Sequence, residues 1–150
     1  MRGFFDIAQK QLDEAQEQKD AVAMLYFDLD HFKEVNDKLG HLEGDRVLQT
    51  VALAMKTCFR PPNVIGRFGG DEFLVFLPKI KNFELEQKVK EFRQHLGGRM
   101  QAANWPVTFS IGCVIYLEPP ESLEKLIHHA DSLASEVKNS GRNGMKLEIL

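Results

Sequence analysis

The sequence predicts an α/β sandwich, with helices flanking a mixed, mainly antiparallel sheet. Residues 21–29, AVAMLYFDL, are apolar without a break until acids end the run, as in a strand buried on both faces. Elsewhere apolar residues recur at helical spacing, and proline and glycine punctuate the order helix, strand, two helices, hairpin, helix, strand, helix, strand. With 150 residues, 43% of them hydrophobic and 27% charged, the chain is long enough for one domain that buries roughly two thirds of its unfolded surface.

Each element has its own signal. Phe4, Phe5, Ile7, Ala8, Leu12 and Ala15 form the apolar stripe of a first helix running to about Asp20. After the apolar strand come two helices, HFKEVNDKL and EGDRVLQTVALAMKTCF, the second stopped by Pro61 and Pro62. NVIGRF and DEFLVFL, joined by Gly69 and Gly70, read as a hairpin that Pro78 ends. The next helix, NFELEQKVKEFRQHL, turns Phe83, Leu85, Val89, Phe92 and Leu96 inward, and the Gly97-Gly98 pair is the expected stop. VTFSIGCVIY is a strand. Ser122 is the N-cap of a last helix carrying Leu123, Leu126, Ile127, Ala130, Leu133, Ala134 and Val137 at helical spacing, and MKLEIL alternates as a final strand.

Charge and cysteine usage exclude several classes. The net charge of -3 gives no global basic field for nucleic acid, so a bound polyanion must be held by local cations. Cys58 and Cys113 sit apart in apolar runs and read as two buried, reduced thiols in a cytoplasmic setting. No apolar run approaches the length of a membrane span, and the first residues lack the layout of a signal peptide. Of the five histidines, His128 and His129 have no acidic or thiol partner at ligand spacing, His95 is expected to be exposed, and His31 and His41 receive no chemical role. Trp105 before Pro106 is expected to pack a loop, because no basic-aromatic interleaving surrounds it.

The chemistry concentrates at two places. Gly69, Gly70, Asp71, Glu72 and Phe73 put two carboxylates directly after a turn whose glycines offer no side chains to block a ligand. Asp28 and Asp30, two apart at the end of the buried strand, share one face, where unpaired carboxylates would be costly and a bound cation would remove the cost. Hard oxygen donors without histidine or cysteine favour magnesium over zinc.

GRFGGDEF, together with FDLDHFKEVNDKLGHLEGDRVL at residues 27–48 and ADSLASEVKNSGRNG at residues 130–144, resembles the GGDEF family of diguanylate cyclases over nearly the whole chain. The resemblance implies a palm-like, nucleotide-cyclase-like fold and condensation of two GTP into cyclic di-GMP and two pyrophosphate by magnesium-assisted 3'-hydroxyl attack on the α-phosphate. It further implies two magnesium ions per site, with manganese as an alternative, held by Asp28, the Leu29 carbonyl and Asp71. Glu72 is either a further ligand or the base for the ribose hydroxyl. Asn36 and Asp45 resemble the guanine-reading pair, and a carboxylate suits guanine because it accepts from N1-H and the exocyclic amine together. Lys33, Lys138 and Arg142 resemble the phosphate-binding cations, beside Gly69 and Gly70 in the substrate site. Lys138 and Arg142 share a helix face if the helix continues, whereas a stop at Gly141 puts Arg142 on the loop beyond.

The chain departs from the family at three places. It starts at or after the end of the usual D-x-L-T-x-L-x-N-R segment, as expected of one GGDEF domain over residues 1–150 cut from a longer signalling protein, a reading compatible with a membrane-anchored parent. Ser135 stands where a tyrosine is usual. Arg60 and Asn63, in RPPN, occupy the place of the product-binding inhibitory R-x-x-D, with an amide for the acid. The implied partners are GTP, a second copy of the domain in a two-fold dimer, and an attached sensor or regulatory domain, with no nucleic acid. The rival readings are a non-catalytic module binding GTP or cyclic di-GMP, and a polymerase palm or another class of nucleotide cyclase sharing paired metal carboxylates.

Overall fold

The computed structural model describes residues 2–80 and 82–150, and the side chains of all of these except Arg2, Asn82 and Phe83. The expected elements form in the expected order: α1 (Arg2–Gln18), β1 (Val22–Asp30), α2 (Phe32–Leu39), α3 (His41–Cys58), β2 (Val64–Arg67), β3 (Glu72–Pro78), α4 (Asn82–Ala102), β4 (Thr108–Tyr116), α5 (Leu123–Asn139) and β5 (Gly144–Ile149). The five strands lie in the order β2-β3-β1-β4-β5. Every pairing is antiparallel except β4 with β5, which is parallel. Among the described residues no helix is long and apolar enough to cross a membrane.

Strand β1 lies at the centre, and all nine of its residues are buried. Side chains alternate across a strand, so its odd and even residues feed two cores. Ala23, Leu25, Phe27 and Leu29 pack with α2, α3 and α4, while Val22, Met24 and Tyr26 pack with α1 and α5. Phe27, Phe59 and Phe92 pack tilted or edge-on against one another in the first core, with centroids 5.4 to 6.2 Å apart.

Some details differ from expectation. Helix α4 does not stop at Gly97-Gly98 but runs through both to Ala102, where Ala103 and Asn104 close it. Leu96 and Met100, both fully buried, continue the apolar stripe beyond the glycines, and that burial outweighs about 1 kcal/mol of lost helix propensity per glycine. Phe83, expected on the inner face of this helix, lies outside the described residues. Cys113 is buried, but Cys58 is only half-buried near the end of α3; both are free thiols. His95 is exposed. Trp105 packs as expected, and its indole N–H donates to Glu43 at 2.9 Å, tying the loop after α4 to the start of α3.

Helix α5 rests directly on β4 at Gly112. A Cβ there would stand 2.0 Å from the Ala130 carbonyl oxygen and 2.6 Å from the Ala134 nitrogen. Since both are backbone atoms of a packed helix, no rotamer change relieves the clash. Gly112→Ala is therefore expected to cost about 1–3 kcal/mol or more of stability, measured by urea denaturation, and a midpoint unchanged from wild type would contradict this packing.

Candidate active site

The end of β1 carries the acids, and the sheet supplies partners for one of them. Asp30, 2% exposed, accepts from Thr108 Oγ1 and Ser110 Oγ, both at 2.7 Å, and from the backbone N–H of Asn143 at 3.0 Å. It therefore joins β1, β4 and the loop after α5 at one point. The expectation that Asp28 and Asp30 stand unpaired on their shared face is corrected: Asp30 has three donors, and Asp28 forms an ion pair with Lys138 of α5. The Asp30 carboxylate is thus satisfied within the fold, whereas Asp28 relies on a single cation.

Asp28 sits opposite Glu72 across the β1–β3 pairing, and the Leu29 N–H donates to the Asp71 carbonyl at 3.0 Å. The register thereby brings the end of β1 and the acidic turn to the same edge of the site. Burial pushes the Asp28 carboxyl up to about 6, opposed by Lys138 and reinforced by Asp71 and Glu72. Burial and the neighbouring Glu72 charge likewise raise Asp71 above the ordinary carboxylate range. Burial alone would lower Lys138, but its bond to Asp28 and the fields of Asp71 and Glu72 outweigh this and hold its ammonium higher than usual. Asp131, two turns before Lys138 on α5, is raised by burial and by Glu72.

Tyr26 is a contact that sequence reasoning missed. Its buried hydroxyl donates to Glu72 Oε2, and burial together with that bond drives the phenol far above its normal range. Nothing in the run AVAMLYFDL distinguished this tyrosine from its apolar neighbours, apart from its place two residues before Asp28. Phe68 packs edge-on against both Tyr26 and Phe5 of α1, at centroid distances of 6.3 and 6.4 Å.

The glycines of the turn serve a purpose other than left-handed backbone. Neither Gly69 nor Gly70 has positive φ; instead a Cβ on Gly69 would lie 2.5 Å from Glu72 Oε1, so the missing side chain makes room for that carboxylate. Arg67 clamps the turn by donating to the carbonyls of Gly69 and Gly70 at 2.7 to 3.2 Å.

Asp28, Leu29, Asp71, Lys33, Lys138 and Arg142 line a single cleft of about 420 Å³, joined by Asp30 and Asp37. Asp37, also unforeseen, lies one helical turn after Lys33 on α2. Helix α5 ends at Asn139, and Gly141, Arg142 and Asn143 all have positive φ, so Arg142 is on the loop and not on the helix face of Lys138. Glu72, Gly69 and Gly70 stand beside this cleft without lining it. Asn36 and the exposed Asp45 are also outside it, on α2 and α3, which meet across Gly40. A Cβ on Gly44 would fall 1.8 Å from Asn36 Oδ1, so the Asn36 amide packs directly against the backbone of Gly44 in the first turn of α3. Arg60 and the half-buried Asn63 lie beyond α3, and the Asn63 N–H donates to the Arg60 carbonyl at 3.0 Å.

The donor set fits a hard divalent cation. Among the described residues no cluster of three or more metal-ligating side chains forms. Two carboxylates and a carbonyl at the edge of an open cleft still match magnesium's habit of joining one or two protein carboxylates to substrate phosphates. The raised Asp28 and Asp71 carboxyls are groups whose charge a cation would stabilise.

The chain is similar to known proteins over most of its length. Diguanylate cyclase A of Treponema denticola is 32% identical over 134 residues, covering 87% of this chain and 36% of that protein. The cyclic di-GMP phosphodiesterase PdeR of Escherichia coli is 36% identical over 123 residues, covering 81% of this chain and 19% of its own length. The chain thus spans about a third or less of these curated relatives. The crystal structure of the GGDEF domain of DgcB from Caulobacter crescentus in complex with c-di-GMP superposes with a TM-score of 0.88 at 29% identity, covering 97% of this chain and 88% of that one. The GGDEF domain of PA1120 from Pseudomonas aeruginosa gives 0.83 at 28% identity, covering 99% and 95%. A family model described as diguanylate cyclase, GGDEF domain, matches residues 1–144, and the chain belongs to that family.

Proposed function

We propose that this domain condenses two GTP into cyclic di-GMP, releasing two pyrophosphate, as the catalytic module of a longer signalling protein. The observation that supports this best is the register that sets Asp28 opposite Glu72 and bonds Leu29 to Asp71, with Lys33, Lys138 and Arg142 around the same cleft. In this reading Asp28, the Leu29 carbonyl and Asp71 hold divalent metal. When bound, magnesium supplies Lewis-acid neutralisation of the phosphate charge. Lys138 gives up Asp28 and, with Lys33 and Arg142, binds phosphate oxygens, while Asn36 and Asp45 read the guanine edge. Glu72, held by Tyr26, receives the ribose 3'-hydroxyl proton or completes the metal site. Asn63 in place of an acid leaves Arg60 without the anionic partner for a guanine edge, so product feedback there is weak.

Relatives named as cyclic di-GMP phosphodiesterases favour a second reading, in which the domain binds GTP and regulates an attached enzyme. Turnover separates the two. With GTP and magnesium, mass spectrometry is expected to find cyclic di-GMP, whereas ATP gives no cyclic product. Asp28→Ala, Asp71→Ala and Glu72→Ala are each expected to lower the rate more than tenfold, a loss of over about 1.4 kcal/mol in barrier stabilisation. If wild type turns over and all three variants keep more than a tenth of its rate, the assignment of the acids fails; if wild type binds GTP without turnover, the regulatory reading holds.

One domain binds one GTP in this proposal, yet the product contains two reciprocal bonds, so two copies must face each other about a two-fold axis. Specific activity is expected to rise with protein concentration. A proven monomer with concentration-independent specific activity would contradict the two-copy arrangement.

Stability should report the Asp28 charge without turnover. The folded-state value of about 6 lies above the ordinary 3.8, so between these values the native state holds more protons than the unfolded chain. The stabilisation is present at low pH and is lost as pH rises through 6. Without divalent ions, Asp28→Asn is expected to melt above wild type at pH 7.5, by about 2–4 °C per kcal/mol gained, with the gap closing towards pH 4. Magnesium should raise the wild-type midpoint and leave that of Asp28→Asn nearly unchanged. A gap that does not vary with pH would refute the buried-charge account, and an equal magnesium response in both proteins would remove Asp28 from the metal site.

A further inference from the structure

A second concavity, larger than the nucleotide cleft, lies between the C-terminal half of α4 and the start of β4. It encloses about 650 Å³, within the usual range for small-molecule sites. Its walls are Trp105, Phe109, Met100 and Val107, and its rim carries Lys90, Arg93 and the amides of Gln94, Gln101 and Asn143. No carboxylate lines it. The nearest acid on the same stripe of α4, Glu86, is one turn before Lys90 and outside the lining. Arg93 is half-buried, and among the described residues neither it nor Lys90 forms an ion pair.

The glycine pair in α4 bears on the same groove. Gly97 and Gly98 lie inside a continuous helix, where glycine is unfavourable, yet a Cβ on either would meet nothing within 4 Å. Neither packing nor a turn requires them. Both line the groove, and their bare backbone keeps its helical wall open. The Trp105 indole N–H is already engaged by Glu43, which fixes the ring against the groove and leaves its apolar surface as a stacking wall.

We infer that this groove binds a small planar aromatic anion, its ring against the partly exposed Trp105 and its acidic group on Arg93 and Lys90. A guanidinium suits a carboxylate, sulfonate or phosphate, and the absence of lining acids removes the repulsion such a ligand would meet at the nucleotide cleft. The site touches the rest of the domain through Thr108 and Asn143, which both bond Asp30, and through Trp105, which bonds the first turn of α3.

Trp105 is the sole tryptophan, so its fluorescence reports occupancy without turnover. The probes are 1-naphthoate for an aryl carboxylate, 1-naphthyl phosphate for an aryl phosphate, and 1-naphthalenemethanol as the uncharged control. At least one anion is expected to quench Trp105 saturably with Kd below about 1 mM, at least tenfold tighter than the control. Arg93→Glu is expected to weaken it at least tenfold, and Gly97→Leu, which fills the groove while favouring the helix, to abolish it with no loss of melting temperature. Excess GTP with magnesium should leave the quenching unchanged. Absence of saturable quenching by either anion, equal binding of the neutral control, unchanged affinity in Arg93→Glu, or displacement by GTP would each overturn the inference.

Discussion

Two carboxylates end the central, wholly buried strand, and the site depends on how the fold accommodates them. Asp30 is neutralised by dipoles: two hydroxyls from β4 and one N–H from the loop after α5 converge on it. Asp28, on the same face and one pleat back, receives a full positive charge from Lys138. The first arrangement is fixed by the backbone, because its donors are in or next to the sheet. The second is exchangeable, because Lys138 is partly exposed and its long chain reaches other anions equally well. The same stretch of strand therefore contains one acid that holds the structure together and one that is free to change partners.

The acidic turn is arranged by equally local means. Arg67 fixes the two glycine carbonyls, Gly69 leaves the space that Glu72 occupies, and Tyr26 bonds the other Glu72 oxygen. Phe68 then links this cluster to Phe5 near the start of α1 through edge-on aromatic contacts. Movement at the start of the first helix is thus mechanically close to the carboxylate, with no strand or helix of another layer between them.

The order of elements was legible in the sequence because each carries its own period and its own stop signal. Residues 21–29 and the stripe of α5 could hardly be read otherwise. Of the residues that the sequence singled out for the site, Asp28, Leu29, Lys33, Asp71, Lys138 and Arg142 meet at one cleft, whereas Glu72, Gly69, Gly70, Asn36 and Asp45 stand outside its lining. What stayed hidden depends on partners distant in the chain. Thr108, Ser110 and Asn143 meet Asp30 across separations of 78 to 113 residues, and no local pattern announces them. The glycines of α4 misled for a related reason: their local preference ends a helix, but the buried Leu96 and Met100 on either side keep it going. Tyr26 looked like core and is core, yet its hydroxyl end belongs to the site.

Gly44 gives this architecture a combinatorial property. Because the Asn36 amide occupies the volume where any side chain at position 44 would begin, the two positions cannot vary independently. A larger residue at 44 displaces Asn36 before it alters anything else, and a bulkier residue at 36 finds its space already limited by the backbone of α3. Change on this face of α2 and α3, by natural divergence or by directed evolution, is therefore coupled: a side chain introduced at 44 requires the Asn36 amide to move, and the two positions are best varied together.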